Sequence, residues 1–311
     1  MKKNNTEPNR IQKGKRQMRL VIFFAVILIS VGIGCLLYPL ISNYLYEQQQ
    51  DTIITEYEEA VSETDAENLE EFLEAAQEYN EALAAYAGAV LTDPFDFDAY
   101  GEIFDEEAYE SLLNVNGDGI MGYLTIPSID VYLPIFHGTS DAVLSSGVGH
   151  LENSSLPVGG ESTHAVLSSH TGLSSRRLFT DLVELEEGDC FYITVLGETL
   201  AYVVDQITVV EPDDTSLLGI YEGKDYVTLL TCTPYGVNDH RLLVRGTRTE
   251  YVEDSEELEE DVDDETDSLW WDQYKKSLIT GVCAAGGTVA VLGIIYRIVV
   301  HVQHRRKRLK R

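Results

Sequence analysis

Cysteine is scarce in this chain, with four among 311 residues. Cys35 and Cys283 lie inside long apolar runs, so only Cys190 and Cys232 remain for the rest of the chain. So few cysteines exclude a small scaffold stapled by disulfides, and a chain of this length can bury a core without them.

Basic residues are also scarce between the two ends. The formal net charge is −31, yet residues 1–19 and 297–311 are rich in Lys and Arg, so the middle of the chain carries the acidic excess. An acidic middle excludes nucleic acid as a partner, because the phosphate backbone requires basic contacts. We expect most of these acidic residues to serve solubility and solvated linkers.

Two uncharged apolar runs, 20–41 and 277–296, are each long enough to cross a ~30 Å hydrocarbon layer as a helix. The second run is richer in Gly and Ala and therefore less hydrophobic. The first is longer than the ~7–15-residue apolar core of a signal peptide and lacks a clear cleavage site, which favours an uncleaved anchor. Basic flanks stay in the cytoplasm, so two crossings predict that both termini are cytoplasmic and the middle is extracytoplasmic. Oxidation threatens an unpaired thiol there, which favours a catalytic reason for keeping one.

The chain between the two spans changes character near residue 119. Residues 42–92 are acidic, Ala-rich and nearly free of Gly and Pro, which predicts helix, either as a stalk or as an appendage packed on the core. Pro94 ends that pattern, and residues 93–118 are predicted to form a loop and a short helix. From 119 to 249, seven or eight short β-rich runs separated by turn residues predict a mainly-β, closed or nearly closed barrel.

The acidic, low-complexity residues 250–276 predict a disordered tether, with aromatic rings at its end suited to a membrane interface. The predicted organisation is a cytoplasmic tail (1–19), a transmembrane helix (20–41), an acidic helical region (42–92), a loop with a short helix (93–118), a β-barrel (119–249), a tether (250–276), a transmembrane helix (277–296) and a cytoplasmic tail (297–311).

One segment could carry nucleophilic chemistry, DYVTLLTCTPYGVNDHRLLVRG at 225–246. An apolar strand ends at Cys232, polar residues turn the chain, and a second apolar strand begins at Arg241. If the strands pair as a hairpin, the thiol and the guanidinium emerge at the same end of the barrel. A thiolate can then attack a carbonyl while the permanently charged Arg stabilises the oxyanion. The competing interpretation is a buried structural cysteine and a surface arginine.

A thiol nucleophile needs a base or an ion-pair partner, and the chain has seven histidines. His170 ends the strand-like THAVLSSH and is followed by Thr171 and Gly172, so it is predicted to project from a strand end into a loop. His240 adjoins Arg241 but fits a turn equally well. The other histidines fit strand or loop positions without an evident partner, or lie in the cytoplasmic tail: His137, His150, His164, His301 and His304.

These strings resemble those of a known family. TLLTCTPYGVNDHRLLVRG resembles the TLxTC motif and downstream Arg of the sortases, and THAVLSSHTGL followed by RRLFTDL is similar to their catalytic His segment. GYLTIPSIDVYLPIFHGTS, GVGHLENSSLPVGGESTH and GETLAYVVDQITVVEPDD extend the similarity over residues 119–249. The pattern is that of class C, the pilin-polymerising branch.

The resemblance implies an eight-stranded sortase β-barrel with short helices, and no cofactor or metal. It implies Cys232 as the thiolate nucleophile, His170 as its protonated partner and general acid, and Arg241 as the oxyanion or substrate clamp. Class C members also carry a lid with an Asp-Pro-aromatic motif, which Asp93, Pro94 and Phe95 match. There Asp93 would pair with Arg241 and Phe95 would cover the Cys232 sulfur, although the same tripeptide is also a helix stop.

The implied function is cleavage of an LPXTG-like sorting signal through a thioacyl enzyme, followed by transfer to a pilin lysine amine during assembly of covalent pili. The partners would be pilin subunits or other surface proteins with such a signal. The alternatives are a housekeeping sortase that anchors proteins to the cell wall and a non-catalytic surface scaffold. One departure is Thr171, where many sortases carry a basic residue.

Overall fold

The computed structural model describes residues 7–85, 106–173, 176–251 and 272–283, with residues 269, 286–287, 293 and 297. The predicted lid residues Asp93, Pro94 and Phe95 lie outside the described residues, as do most of the acidic tether and half of the second apolar run.

A single helix, α1 (Glu7–Glu63), carries the first apolar run directly into the acidic region. Among the described residues, one segment is long and apolar enough to cross a membrane, Phe23–Glu63, whose apolar window has a mean hydropathy of 2.5 and no buried residue. The chain breaks at Asp65, whose carboxylate accepts a hydrogen bond from the Asn68 backbone N–H (3.0 Å) as α2 (Ala66–Ala85) begins.

The acidic helices pack onto the barrel, which decides between the two interpretations of this region. Tyr57 of α1 is buried, and its hydroxyl donates to the Met121 carbonyl (3.0 Å) and accepts from the Leu196 N–H (2.9 Å). Asn80 of α2 binds Leu156 twice, donating to its carbonyl (3.1 Å) and accepting from its N–H (2.7 Å). The described part of the region is therefore an appendage of the core and not a free stalk.

Eight strands close into a barrel in the order β1-β2-β3-β4-β7-β8-β6-β5. They are β1 (Ile120–Ile126), β2 (Val131–His137), β3 (Val148–His150), β4 (Thr163–Ser168), β5 (Cys190–Val195), β6 (Glu198–Val210), β7 (Asp225–Thr233) and β8 (His240–Thr249). The connections hold the short helices α3 (Glu106–Ser111) and α4 (Asp141–Leu144) and two 3₁₀ turns (Pro127–Ile129 and Thr180–Glu184). The prediction of a mainly-β closed barrel with short helices is confirmed.

Two strand pairings define one end of the barrel. β4 and β7 run parallel, so their carboxyl ends meet at the same rim. β8 is antiparallel to β7 and begins there. We call this end, where Ser168, Thr233 and His240 end or begin their strands, the β7–β8 rim.

Candidate active site

Cys232 and Arg241 lie directly opposite each other in the antiparallel register of β7 and β8. Residues facing each other in this way have Cβ atoms roughly 4.5–5.5 Å apart. The strand before the cysteine is buried from Tyr226 to Thr231, whereas Cys232 itself is half-buried at the rim. The prediction that the two strands form a hairpin is confirmed, and the thiol and the guanidinium share one end of the barrel.

The Arg241 side chain is held by the turn that precedes it. Its Nη1 donates to the carbonyl oxygens of Asn238 (3.4 Å) and His240 (3.2 Å), and the residue is only 8% exposed. A guanidinium keeps its charge at any relevant pH, so the turn fixes a permanent positive charge beside the thiol.

His170 reaches the same rim through the parallel pairing of β4 with β7. Ser168 is in register with Leu230, and two further hydrogen bonds continue the pairing past the end of β4. The Ser169 N–H donates to the Leu230 carbonyl (3.2 Å), and the Thr231 hydroxyl donates to the Ser169 carbonyl (2.7 Å). His170 follows Ser169 as Cys232 follows Thr231. The parallel register therefore places His170 and Cys232 side by side at the carboxyl ends of β4 and β7.

The loop after His170 folds back over the next residues. The Phe179 N–H donates to the His170 carbonyl (3.1 Å), and the Gly172 N–H donates to the Thr180 hydroxyl (3.2 Å). Gly172 has φ +81, and a Cβ there would lie 3.7 Å from the Tyr235 ring. Tyr235 belongs to the turn after Cys232, so the two loops pack together at the rim, a contact that the sequence did not predict.

Asp141, the first residue of α4, is a neighbour of His170 that the sequence did not predict. Its Oδ1 lies 3.2 Å from Nε2 of His170, whose side chain is 19% exposed. The available signal was the pair Ser140-Asp141 at a helix start, since the Ser140 hydroxyl caps α4 by accepting from the Val143 N–H (3.3 Å).

Three other histidines have structural partners, which corrects the expectation that they have none. In His164, Nδ1 donates to the Gly219 carbonyl (2.8 Å) and Nε2 accepts from the Thr228 hydroxyl (2.7 Å). Burial lowers the pKa of His164 to about 4, and burial lowers the pKa of His150 to about 4 as well. His137 lies near the carbonyls of Gly119 and Leu112, and burial lowers its pKa.

His240 differs from these because it lies at the start of β8 with its side chain 38% exposed. It bonds Asp239 (2.8 Å), and that bond raises the pKa of His240 above its ordinary value. Cys190 begins β5 and is partly exposed. Burial and the neighbouring Asp189 raise the pKa of its thiol, which makes it a poor nucleophile.

The rim therefore assembles a thiol, an imidazole and a guanidinium. A thiol beside these groups can attack a carbonyl, the guanidinium can stabilise the resulting oxyanion, and the imidazole can move a proton. In the part of the chain that the structure describes, no three His, Cys, Asp or Glu side chains converge as metal ligands.

The chain is similar to known proteins in both sequence and structure. Residues 124–249 match the family described as Sortase domain. Sortase A from Streptococcus agalactiae is 30% identical over 45% of this chain and 57% of its own length. Sortase D from Bacillus subtilis is 34% identical over 41% of this chain and 63% of its own length. The chain thus spans somewhat over half the length of these two curated relatives.

Solved structures extend the similarity beyond the barrel. The crystal structure of Sortase C from Streptococcus pneumoniae is 45% identical, with a TM-score of 0.58, over 64% of this chain and 97% of that one. Sortase C-1 from Actinomyces oris is 46% identical, with a TM-score of 0.54, over 59% of this chain and 99% of that one.

Proposed function

The chain belongs to the sortase family, and from that premise we propose that it is a cysteine transpeptidase of the pilin-polymerising class C. In this proposal Cys232 is the nucleophile, His170 the general acid and base, and Arg241 the oxyanion or substrate clamp. The observation that carries it is the strand register, which places these three residues next to one another at the β7–β8 rim.

The first half-reaction cleaves an amide bond. The Cys232 thiolate attacks the Thr carbonyl carbon of an LPXTG-like sorting signal, and the Arg241 guanidinium stabilises the negative oxygen of the tetrahedral intermediate. The C–N bond then breaks, and the leaving amine takes a proton from the His170 imidazolium. The product is a thioester between Cys232 and the substrate Thr.

The second half-reaction joins two proteins. The side-chain amine of a pilin lysine attacks the thioester carbonyl, and His170 accepts the proton that the amine loses. The C–S bond breaks, the thiolate is regenerated, and an isopeptide bond links the two chains. Support for a pilin as the substrate comes from the Streptococcus pneumoniae Sortase C, whose structure is described in terms of pilin substrate specificity.

A lid is the second part of the proposal. Asp93 would pair with the Arg241 guanidinium and Phe95 would cover the Cys232 sulfur, while Pro94 would restrict the backbone between them. Such a lid would shield a reactive thiol until substrate displaces it. The DPF motif and the similarity to class C structures support this role.

The third part concerns the membrane. We infer two spans, 20–41 and 277–296, with both termini cytoplasmic and the barrel outside, because basic clusters lie beyond each apolar run. Contact between the two regions supports the second span. The Tyr274 hydroxyl donates to the Leu36 carbonyl of α1 (2.7 Å), and a Cβ on Gly281 would lie 3.9 Å from the Leu36 side chain.

Mass spectrometry of the full-length chain in detergent, incubated with LPXTG-type peptides, tests the reaction. We expect a covalent adduct on Cys232 whose mass corresponds to the peptide up to and including its Thr. The Cys190→Ala variant should form the same adduct, whereas the Cys232→Ala variant should form none. An adduct in the Cys232→Ala variant would contradict the proposal. So would the absence of an adduct in a chain that keeps Cys232 and carries the lid substitutions Asp93→Ala and Phe95→Ala.

A competition between acceptors tests the class. A pilin carrying its acceptor lysine and a peptidoglycan-type amine are offered together to the acylated enzyme. We expect isopeptide-linked pilin as the main product, and preferential transfer to the cell-wall amine would instead indicate housekeeping anchoring. A chain that never acylates with any sorting peptide would favour a non-catalytic scaffold.

A further inference from the structure

The segment from α4 to β3 holds the His170 loop at several points. The His170 N–H donates to the Leu144 carbonyl (3.4 Å), and the Ser169 hydroxyl donates to the Gly147 carbonyl (2.6 Å). Arg176 donates to the Ser145 carbonyl. Because Leu144 is fully buried, this segment is a fixed support for the loop.

The imidazole ring itself contacts the same support. Nε2 of His170 lies 3.2 Å from Oδ1 of Asp141, at the start of the helix whose last residue binds the His170 backbone. The helix therefore engages both the main chain and the side chain of His170. A carboxylate only accepts at neutral pH, so Nε2 must carry the hydrogen of this bond in either charge state of the ring.

We propose that Asp141 is a positioning residue for His170, holding the ring by Nε2 so that Nδ1 exchanges the proton with the reacting amine. This inference rests on the proposed function, since it concerns the proton that leaves with the amine in the first half-reaction. Asp141 contacts no reacting atom, and its effect passes through the orientation of the ring.

The competing interpretation is a surface ion pair without consequence. The Asp141 side chain is 76% exposed, and exposed pairs are weak. Two features distinguish this pair from an ordinary surface pair. The aspartate backbone is fixed by the Ser140 cap of α4, and the same helix fixes the histidine backbone, so only side-chain rotamer freedom is lost when the bond forms.

Two substrates distinguish a positioning role of Asp141 from a general loss of activity. An amide-bonded sorting peptide needs a proton on its leaving amine, whereas an aryl thioester of the same acyl group releases a thiolate without one. For the full-length Asp141→Ala variant, we expect the ratio of kcat/KM on the amide to kcat/KM on the thioester to fall about fivefold. An unchanged ratio would overturn the proposal, including the case in which both substrates slow equally.

The Asp141→Asn variant tests the hydrogen bond itself. Its amide oxygen still accepts from Nε2, so we expect the ratio to stay within about twofold of wild type. An Asn variant as impaired as the Ala variant would overturn the proposal, because charge and not the accepted bond would then be what His170 requires. Nitrogen NMR of ¹⁵N-histidine protein at alkaline pH should show neutral His170 protonated on Nε2, and the opposite tautomer would also overturn it.

Asp239→Ala is the matched control, because Asp239 is another exposed aspartate bonded to a histidine at the same rim (2.8 Å to His240). Its substrate ratio should equal that of wild type. The thioester also separates the two levels of inference. A wild-type chain that acylates with neither substrate refutes the transpeptidase, whereas a wild type that acylates while Asp141→Ala keeps its ratio refutes only the positioning role.

Discussion

Arg241 faces Cys232 across the β7–β8 pair, and the turn between the two strands binds the Arg241 guanidinium through the carbonyls of Asn238 and His240. The turn thus does two things at once. It closes the hairpin that sets the register, and it fixes the direction of a side chain that would otherwise be long and mobile. The planar fork of Arg is suited to this, since separate N–H groups can serve the turn and the substrate together.

Replacing Arg241 by Lys should therefore cost activity although the charge is kept. One ammonium cannot satisfy the turn carbonyls and the oxyanion together, so we expect kcat to fall about 10²-fold, as for loss of one oxyanion donor. Steady-state kinetics with a sorting peptide measures this. Arg248→Lys, an exposed position on the same strand, is the control and should keep wild-type kcat. Full activity in Arg241→Lys would contradict the clamp role.

Removing either proposed lid contact should expose the Cys232 thiol. In Asp93→Ala and Phe95→Ala variants, we expect a thiol-reactive probe to label Cys232 about fivefold faster, because an ion pair or an apolar cover is lost. Hydrolysis of the sorting peptide should rise as well. Cys190, which is partly exposed, reports probe activity within the same molecule. Labelling of Cys232 at the wild-type rate in both variants would remove the lid proposal.

The hairpin and the barrel could be predicted from sequence because their signals are local. Short β-rich runs with turn residues between them give strands of the right length, and the polar stretch between Cys232 and Arg241 gives the turn. The side-by-side placement of His170 and Cys232 could not be predicted in this way. It depends on the parallel pairing of β4 with β7, two strands separated in the chain by β5 and β6, and periodicity carries no strand order.

Two further features escaped prediction for physical reasons. Helix α4 has four residues, which is too few for a periodic pattern, so nothing in the sequence connected Asp141 with a histidine 29 positions away. The acidic helices showed their composition but not their contacts. Their anchoring combines buried apolar side chains with single polar ones, such as Asn80, whose partner Leu156 lies on a distant loop.

Acid should destabilise the fold through His164 and His150. The pKa of each is about 4 in the folded protein, below the ordinary value of 6.5, because burial disfavours the charged ring. As the pH falls, the unfolded chain takes up these protons first. The contribution of the two neutral, buried histidines to the free energy of unfolding is therefore complete above pH 6.5 and is lost between pH 6.5 and 4.

From these pKa values we expect the free energy of unfolding to fall by ~2 kcal/mol for each histidine when the pH is lowered from 7 to 5. Urea unfolding of the full-length chain at both pH values measures the change. The His164→Gln variant should lose correspondingly less stability over this interval than wild type does. An equal loss in the two proteins would show that His164 does not titrate as its burial requires.

Tyr57 offers a test of how the acidic region is attached, through a single oxygen atom. Its hydroxyl joins α1 to two strand ends, donating to the Met121 carbonyl and accepting from the Leu196 N–H. In Tyr57→Phe the ring still fills its site, but a buried N–H and a buried carbonyl lose their partner, which costs about 1–3 kcal/mol. For a domain of this size we expect Tm to fall by about 2–4 °C per kcal/mol.

Tyr44→Phe removes a hydroxyl from the same helix at an exposed position and should leave Tm unchanged. Cleavage of a sorting peptide well below Tm should be close to wild type in both variants, because neither hydroxyl lies at the β7–β8 rim. If the two variants had the same Tm, the helix would be held by its apolar face alone. If instead Tyr57→Phe lost activity while keeping its Tm, α1 would have a role in the reaction beyond attachment.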